Sequence, residues 1–479
     1  MGTAAGRGSW LVGAAALAGL LLSGCITVGP DYSPPETSVP GAYAENVPPA
    51  EPAPGAAPAP VLDEWWTVFD DPGLDRVVRE ARERNHDLRI AVARVREARA
   101  ILRAATGERR PAVEANASAE RQDTGTGPAE DSFDLGATVS WEIDLFGRIR
   151  RSVEAAEASL QVTEAERDGV LLAVTAEAVR LYLAGWTADR QLRRAKEAIA
   201  LQRDALELNR ARRRHGLVSD LEVAQSERVL ASSLALLPNL RAHIARNRHA
   251  LAVLLGKAPS EFDLEYPDRP VPVPELDLDP GVPADLLRRR PDVIAAEREL
   301  ASRTAKVGVA LADLYPSLSL RGFVGASSAE VGDLLDADSF RWKVEAPLRW
   351  RIFEGGRIRA RVEGERARVE QALAGYEQAV LVAIREVEDA LVAWREKRAR
   401  AEAMAHAEEV AARTLHLSRV LYRDGLSDYL ATLDAEQASF RAVIDAAGAR
   451  GEAAQALVDL FRALGGGWPA PAGDEENDR

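Results

Sequence analysis

The chain has 479 residues, enough for three ordinary domains, and a formal net charge of −14 at pH 7. It offers no basic stripe of the kind phosphate binding needs, which excludes a nucleic-acid partner, and an acidic chain of this kind suits an exported or soluble-surfaced protein. Its single cysteine, Cys25, rules out an intrachain disulfide.

Residues 1–24 read as a lipoprotein signal peptide. Arg7 gives a short positive region, an apolar run follows from Trp10 to Leu22, and Leu22-Ser23-Gly24 precedes Cys25. The run is too short and too early for a lasting membrane span. Cys25 could be an incidental buried thiol, but its place at the end of the apolar run favours modification. Leu-Ser-Gly-Cys resembles a bacterial lipobox, which implies that Cys25 carries a covalent lipid and becomes the mature first residue. No other cofactor is expected. Ile26 in place of an aspartate implies, by the same resemblance, transport to the outer membrane. Residues 25–61 are rich in proline and alanine, a composition expected to form an extended tether between lipid and body.

Residues 62–256 form a first structural repeat, in which packing begins at Trp65-Trp66. Leu74, Val77, Val78, Ala81, Leu88, Val92 and Val95 predict one helix from Leu74 to Ala105, broken by Pro111. Val113, Ala115, Ala117 and Ala119 then alternate with polar residues as a strand, and a loop from Asp123 to Pro128 turns into a second strand. There Phe133, Leu135, Ala137, Val139, Trp141 and Ile143 alternate with Asp134, Thr138, Ser140 and Glu142. No proline interrupts the helix that opens at Arg148 before the glycine of His215-Gly216-Leu217-Val218-Ser219-Asp220. That is nearly seventy residues, about 100 Å at about 1.5 Å each, and a helix so long must pack along similar helices. A return helix from Asp220 to Leu255, kinked or broken near Pro238, ends at Gly256.

A proline-rich connector, 257–283, leads to a second repeat, 284–467, and an acidic tail, 468–479. Here the expected order is a helix from Ala284 to Ala312, a strand near Leu318 to Val324, and a strand that carries Trp342 and Trp350. A long helix from Arg357, a turn at Gly425 and a return helix from Asp428 to Leu464 follow. Pro347 is the odd member of the Trp342 strand. Adding 209 carries Phe133 to Trp342, Trp141 to Trp350, Gly147-Arg148-Ile149-Arg150 to Gly356-Arg357-Ile358-Arg359, Gly216-Leu217 to Gly425-Leu426 and Leu255-Gly256 to Leu464-Gly465. The chain is a duplication.

Four half-apolar strands cannot close a barrel, and an open edge in lipid is very costly, so strands that meet a bilayer must be pooled by several chains. Three chains give twelve strands, within the range of outer-membrane barrels. The aromatics Phe133 with Trp141, and Trp342 with Trp350, lie eight residues apart. At about 3.3 Å per residue and the usual tilt they span roughly 20 Å, close to the spacing of interfacial aromatic girdles. An antiparallel sheet packed on the helices is the alternative that periodicity leaves open.

Cys25 with Gly29-Pro30-Asp31-Tyr32, then Trp141-Glu142-Ile143-Asp144-Leu145-Phe146-Gly147, Arg290-Pro291-Asp292-Val293, Tyr315-Pro316 and Phe353-Glu354-Gly355-Gly356 are similar to the TolC/OprM outer-membrane efflux family, in its NodT-type lipoprotein branch. The similarity covers nearly all of the mature chain. It implies an α+β membrane protein, internally duplicated, whose homotrimer joins a long α-helical coiled-coil barrel in the periplasm to a twelve-strand transmembrane β-barrel in outer-membrane lipid. It also implies two partners, a periplasmic adaptor and an inner-membrane pump. The helix turns become the adaptor-contact tip, with Gly216, Leu217 and Ser219 in the first copy and Tyr422, Gly425, Leu426 and Ser427 in the second. The closing ring matches Leu430 and Asp434, one turn apart and so on one face of the return helix. Without the resemblance Asp434 reads as a solvated side chain. Arg212-Arg213-Arg214-His215 departs from the family at the first tip, where a tyrosine is frequent.

Neither an enzyme nor a metal protein is expected: the six histidines show no HExxH or Cys/His spacing, and Gly147 and Gly355-Gly356 fit neither a dinucleotide fingerprint nor a phosphate loop. The expected function is a passive exit duct fed by an inner-membrane pump. A lipid-anchored periplasmic coiled-coil scaffold is the rival.

Overall fold

The computed structural model describes residues 26–36, 39–45, 62–123, 125, 128–274 and 283–466. The signal peptide, Cys25 and the tail 468–479 lie outside the described residues. After a 3-10 segment at Leu62–Phe69 come α1 (Pro72–Arg84), α2 (His86–Gly107), β1 (Ala112–Gln122), β2 (Glu130–Ile143) and α3 (Arg148–Arg214). The first return helix follows as α4 (Asp220–Leu234) and α5 (Leu236–Leu254). The second copy contains α6 (Pro283–Arg289), α7 (Pro291–Ala312), β3 (Ser317–Ser328), β4 (Phe340–Glu345), β5 (Leu348–Arg349), α8 (Arg357–Arg423) and α9 (Tyr429–Ala463).

The duplication is carried by the backbone as well as by the sequence. α3 and α8 each have 67 residues and occupy equivalent positions, as do the return helices that follow them. One difference has a local cause. Pro238 has no N–H to give the Leu234 carbonyl, so the first return helix breaks at Ala235, whereas its counterpart Ala447 leaves α9 whole.

Four expectations need correction. The helix read from Leu74 to Ala105 is two helices, separated at Asn85. Asn85 is extended, its side chain accepts from the Leu88 N–H and donates to the Leu254 carbonyl, and so it starts one helix and caps another. The helix read from Ala284 to Ala312 likewise divides at Arg290, which precedes Pro291 and donates to the Ala463 carbonyl, the equivalent helix end. The Trp342 strand is also shorter than expected. It runs for six residues, breaks at Ala346-Pro347 and resumes for two in β5, leaving Trp350 just beyond.

The fourth concerns the expected tether. Residues 26–36 and 39–45 are seated on the body: Val28 donates to the Phe146 carbonyl, and the buried Arg151 donates to the Val28 and Gly29 carbonyls and, at 2.6 Å, to Asp31. A Cβ on Gly29 would lie 2.5 Å from the Gly308 Cα, so only glycine permits this approach. Further along, Glu388 accepts from the backbone N–H groups of Ala44 and Glu45.

The chain forms two compact units. One takes residues 94–164 and 295–377 with the amino-terminal segment and holds the sheet. Its strand order is β1-β2-β3-β4, antiparallel throughout, with β5 paired to β3. The other takes residues 39–93, 165–294 and 378–466. Its core gathers Trp65, Phe69, Leu74, Tyr182, Trp186 and Phe461, all essentially inaccessible, with Trp65 stacked on Phe461 at 5.1 Å. α3 and α8 contribute residues to both units.

Candidate functional site

The sheet is two-faced, and its register says which residues share a face, because directly paired residues project to the same side. Val113, Ala115, Ala117 and Ala119 lie opposite Val139, Ala137, Leu135 and Phe133. Those pair in turn with Gly322, Val324, Ala326 and Ser328, while Trp141 faces Leu320 and Val324 faces Trp342. The other face carries Glu114, Asn116, Ser118, Asp134, Thr138, Arg321, Arg341 and Lys343, with Asn116 donating to Thr138 at 2.8 Å. Val113, Leu135, Val324, Trp342, Val344 and Trp350 remain exposed, so within one chain the apolar face has no cover.

The four aromatics predicted as a girdle all project from this apolar side or continue its alternation. Phe133 and Trp342 sit away from the helices, while Trp141 and Trp350 sit at the strand ends nearest them. Trp141 donates its indole N–H to the Arg109 carbonyl and Trp350 to the Leu314 carbonyl, each two residues beyond the end of the preceding helix. The two copies thus fix an indole at the same junction by the same bond.

The two tip turns share one backbone solution. Gly216 and Gly425 take φ of 71° and 73°, a conformation that glycine adopts without penalty. Leu217 donates to the Arg212 carbonyl and Leu426 to the Leu421 carbonyl, closing each long helix in a Schellman turn. Ser219 and Asp428 then cap the return helices, the first in a reciprocal capping box with Glu222. Leu217 and Leu426 are left 72% and 75% exposed at the turns. Ser427 touches only the neighbouring Asp428 carbonyl among the described residues.

The side chains around the two turns differ. In the first, Arg213 binds Asp220 through both carboxylate oxygens, at 2.6 and 2.8 Å. In the second the same two positions are Tyr422 and Tyr429, whose rings meet at 5.3 Å. Tyr429 is buried with Val229 and Leu433 and hydrogen-bonds the Ser226 hydroxyl, which also accepts from Asn209 at 2.9 Å. Arg212 lies 4.9 Å over the Tyr422 ring. The basic run that replaces the expected tyrosine is therefore partly used inside the chain. Nearby, Arg419 holds the buried Glu436 at 2.9 Å, and burial pushes that carboxyl above its ordinary value. Sequence reading missed Asn209, Ser226, Tyr429 and the Arg419–Glu436 pair. The available signal was polar residues on the inward face of the tip helices.

Leu430 and Asp434 are exposed on one side of α9: Leu430 is 53% accessible, whereas Leu433, toward the neighbouring helices, is 1%. Their exposure on a common face is compatible with a ring built by several chains. Among the described residues no group of His, Cys, Asp and Glu is large enough to hold a metal.

The model of the family described as outer membrane efflux protein matches residues 77–257 and 282–466, one stretch for each copy. The chain is similar to outer membrane protein OprJ of Pseudomonas aeruginosa, at 33% identity over 95% of this chain and 96% of that one. It is similar to nodulation protein T of Rhizobium leguminosarum bv. trifolii at 31% identity, over 94% and 96% of the two chains. Among solved structures, the outer-membrane channel OprN superposes with a TM-score of 0.85 at 35% identity, covering 92% of this chain and 99% of that one.

Proposed function

The chain belongs to the outer membrane efflux protein family, and from that premise we propose that three copies form one passive exit duct served by an inner-membrane pump and a periplasmic adaptor. It is an outer-membrane efflux channel and not an enzyme. The observation that carries the trimeric reading is the sheet: an uncovered apolar face, a polar opposite face, and two unpaired edges, β1 and β4. A monomer would leave those edges open in hydrocarbon, where each unsatisfied backbone group costs several kcal/mol. Pooling three sheets satisfies the edges, turns the apolar face to lipid and leaves the polar face around water. A scaffold without a conducting path gives the two-faced sheet no role.

The remaining assignments follow the same frame. Phe133 and Trp342 mark one interface, and Trp141 and Trp350 the other. Leu217 and Leu426 at the turns meet the adaptor. Leu430 and Asp434 line the narrow periplasmic end, where three aspartates around a threefold axis attract cations and repel one another. Cys25 carries the lipid, and the seating of residues 26–32 holds that lipid close to the strand–helix junction.

Purified protein in a planar bilayer is expected to conduct with cation preference, and Asp434→Ala to raise conductance and weaken that preference. Unchanged conductance and selectivity in Asp434→Ala would remove the gate assignment, and absence of any conductance would remove the duct. Globomycin, which blocks lipoprotein signal cleavage, is expected to cause precursor to accumulate. Normal processing in its presence would exclude lipidation of Cys25.

A further inference from the structure

The two hairpins of the sheet carry opposite charge on their polar face. On β1 and β2 that face holds Glu114, Glu120, Glu130, Asp134 and Glu142 and no lysine or arginine. On β3, β4 and β5 it holds Arg321, Arg341, Lys343 and Arg349 against the single Glu345. The segregation places acid at one open edge of the sheet and base at the other. Glu114 and Glu120 on β1 have no ion-pair partner among the described residues, nor does the Arg349 guanidinium. Lys343 reaches only Glu345 on its own strand, at 2.6 Å with both side chains well exposed.

We propose that these two edges recognise each other across the seam between copies, with Glu120 opposite Lys343 and Glu114 opposite Arg349. The inference rests on the trimeric reading above and adds a register and a chemical basis for it. Two independent features select that register.

The first is spacing. The two acids are six residues apart on β1, and the two bases are six apart on the opposite edge, all on the polar face. In an antiparallel pair any register that aligns one couple aligns the other. The same register sets Val344 against Ala119, Leu348 against Ala115 and Trp350 against Val113, bulky residues against small ones on the apolar face. It uses the whole of β1, Ala112–Gln122, against residues 341–351.

The second is stagger. Ala112, where β1 begins, is level with Ser140, Arg321 and Glu345. β2 and β3 nevertheless continue downward past that level to Ile143 and Ser317, and β5 to Arg349. At the other end β1 reaches Gln122, level with Glu130, while β3 stops at Ser328, level with Phe133, and β4 at Phe340, level with Ala326. Each strand thus sits lower along the rows than the one before it, as the tilted strands of a barrel require. Continuing the drift onto the next copy's β1 demands a shift of roughly six residues, which is the shift that the charges select independently. Pro347 does not spoil the seam. Its carbonyl accepts from the Ser319 N–H, so its missing donor faces β3 and the outer side of the strand keeps its groups.

Paired cysteines in the full-length protein test the register. Within one chain β1 and β4 are three strand spacings apart, about 14 Å, too far for a disulfide, so any link must join two chains. Glu120→Cys with Lys343→Cys, and Glu114→Cys with Arg349→Cys, are expected to oxidise to a covalent trimer that survives boiling without reductant. Glu114→Cys with Lys343→Cys is not. Linking by that last pair alone, or by none of the three in a protein that is still trimeric by mass, would overturn the register and leave the trimer standing. A wild-type protein that is monomeric in detergent would overturn both. Charge is tested separately: Glu120→Lys or Lys343→Glu alone is expected to lower the temperature at which the trimer dissociates, and the combined exchange to restore it. Failure of the exchange to restore it would show that the edges meet without electrostatic selection.

Discussion

The two tip turns have the same backbone and different interiors. Gly216 and Gly425, their Schellman bonds and the capping of the following helices superpose position by position through the 209-residue repeat. Yet Arg213 and Asp220 make an exposed ion pair where Tyr422 and Tyr429 make a ring contact, and it is Tyr429, not its counterpart Asp220, that is buried against Ser226 and Val229 of the other copy. Geometry at a turn is set by a few residues, so duplication preserves it. The side chains around it are free to divide the work, one tip remaining solvated and the other holding the helices together.

Substitutions should expose that division, with the largest effect at the second tip. Tyr429→Ala removes a buried ring and its bond to Ser226, and is expected to cost about 3 kcal/mol. Thermal unfolding, together with faster amide exchange in residues 220–229, would report it. An exchange pattern unchanged from wild type would mean that the tips are held elsewhere.

Acid should then separate the tips by sign. Burial raises the Glu436 carboxyl, with Arg419 pulling the other way, so the folded second tip takes up a proton before the unfolded chain does. As pH falls from the raised folded value toward 4.5, this group stabilises the second tip, and Glu436→Gln abolishes the response. At the first tip the Arg213 hydrogen bond and charge hold Asp220 below its ordinary value. Its contribution is present above 3.8 and is lost as pH falls through the lower folded value. Exchange rates in residues 429–436 and 220–227, corrected for intrinsic pH dependence, should diverge. A common direction at both tips would contradict the assignment. The smallest effect is expected from Arg213→Ala, since an exposed ion pair contributes little, and its melting temperature should match wild type.

Much of this architecture was legible because it is periodic. The long helices, the two-faced strands and the repeat all follow from spacing that a local window contains, and the break near Pro238 follows from one missing donor. What escaped depended on partners far along the chain. Asn85 looks like an ordinary helix residue until the Leu254 carbonyl arrives beside it. Residues 26–36 look like part of a tether until Arg151 gathers Val28, Gly29 and Asp31. At the tips, Tyr422 was visible through resemblance, but the pairing of Tyr429 with Ser226 crosses from one copy to the other and leaves no local trace.

The central claim is that one face of the sheet meets hydrocarbon and the other meets water. Single cysteines along β2, in protein reconstituted into vesicles, test it residue by residue with a membrane-impermeant thiol reagent. Reaction at positions 134, 138 and 140 with protection at 135, 137 and 139 is the predicted result; uniform reactivity along the strand would contradict it.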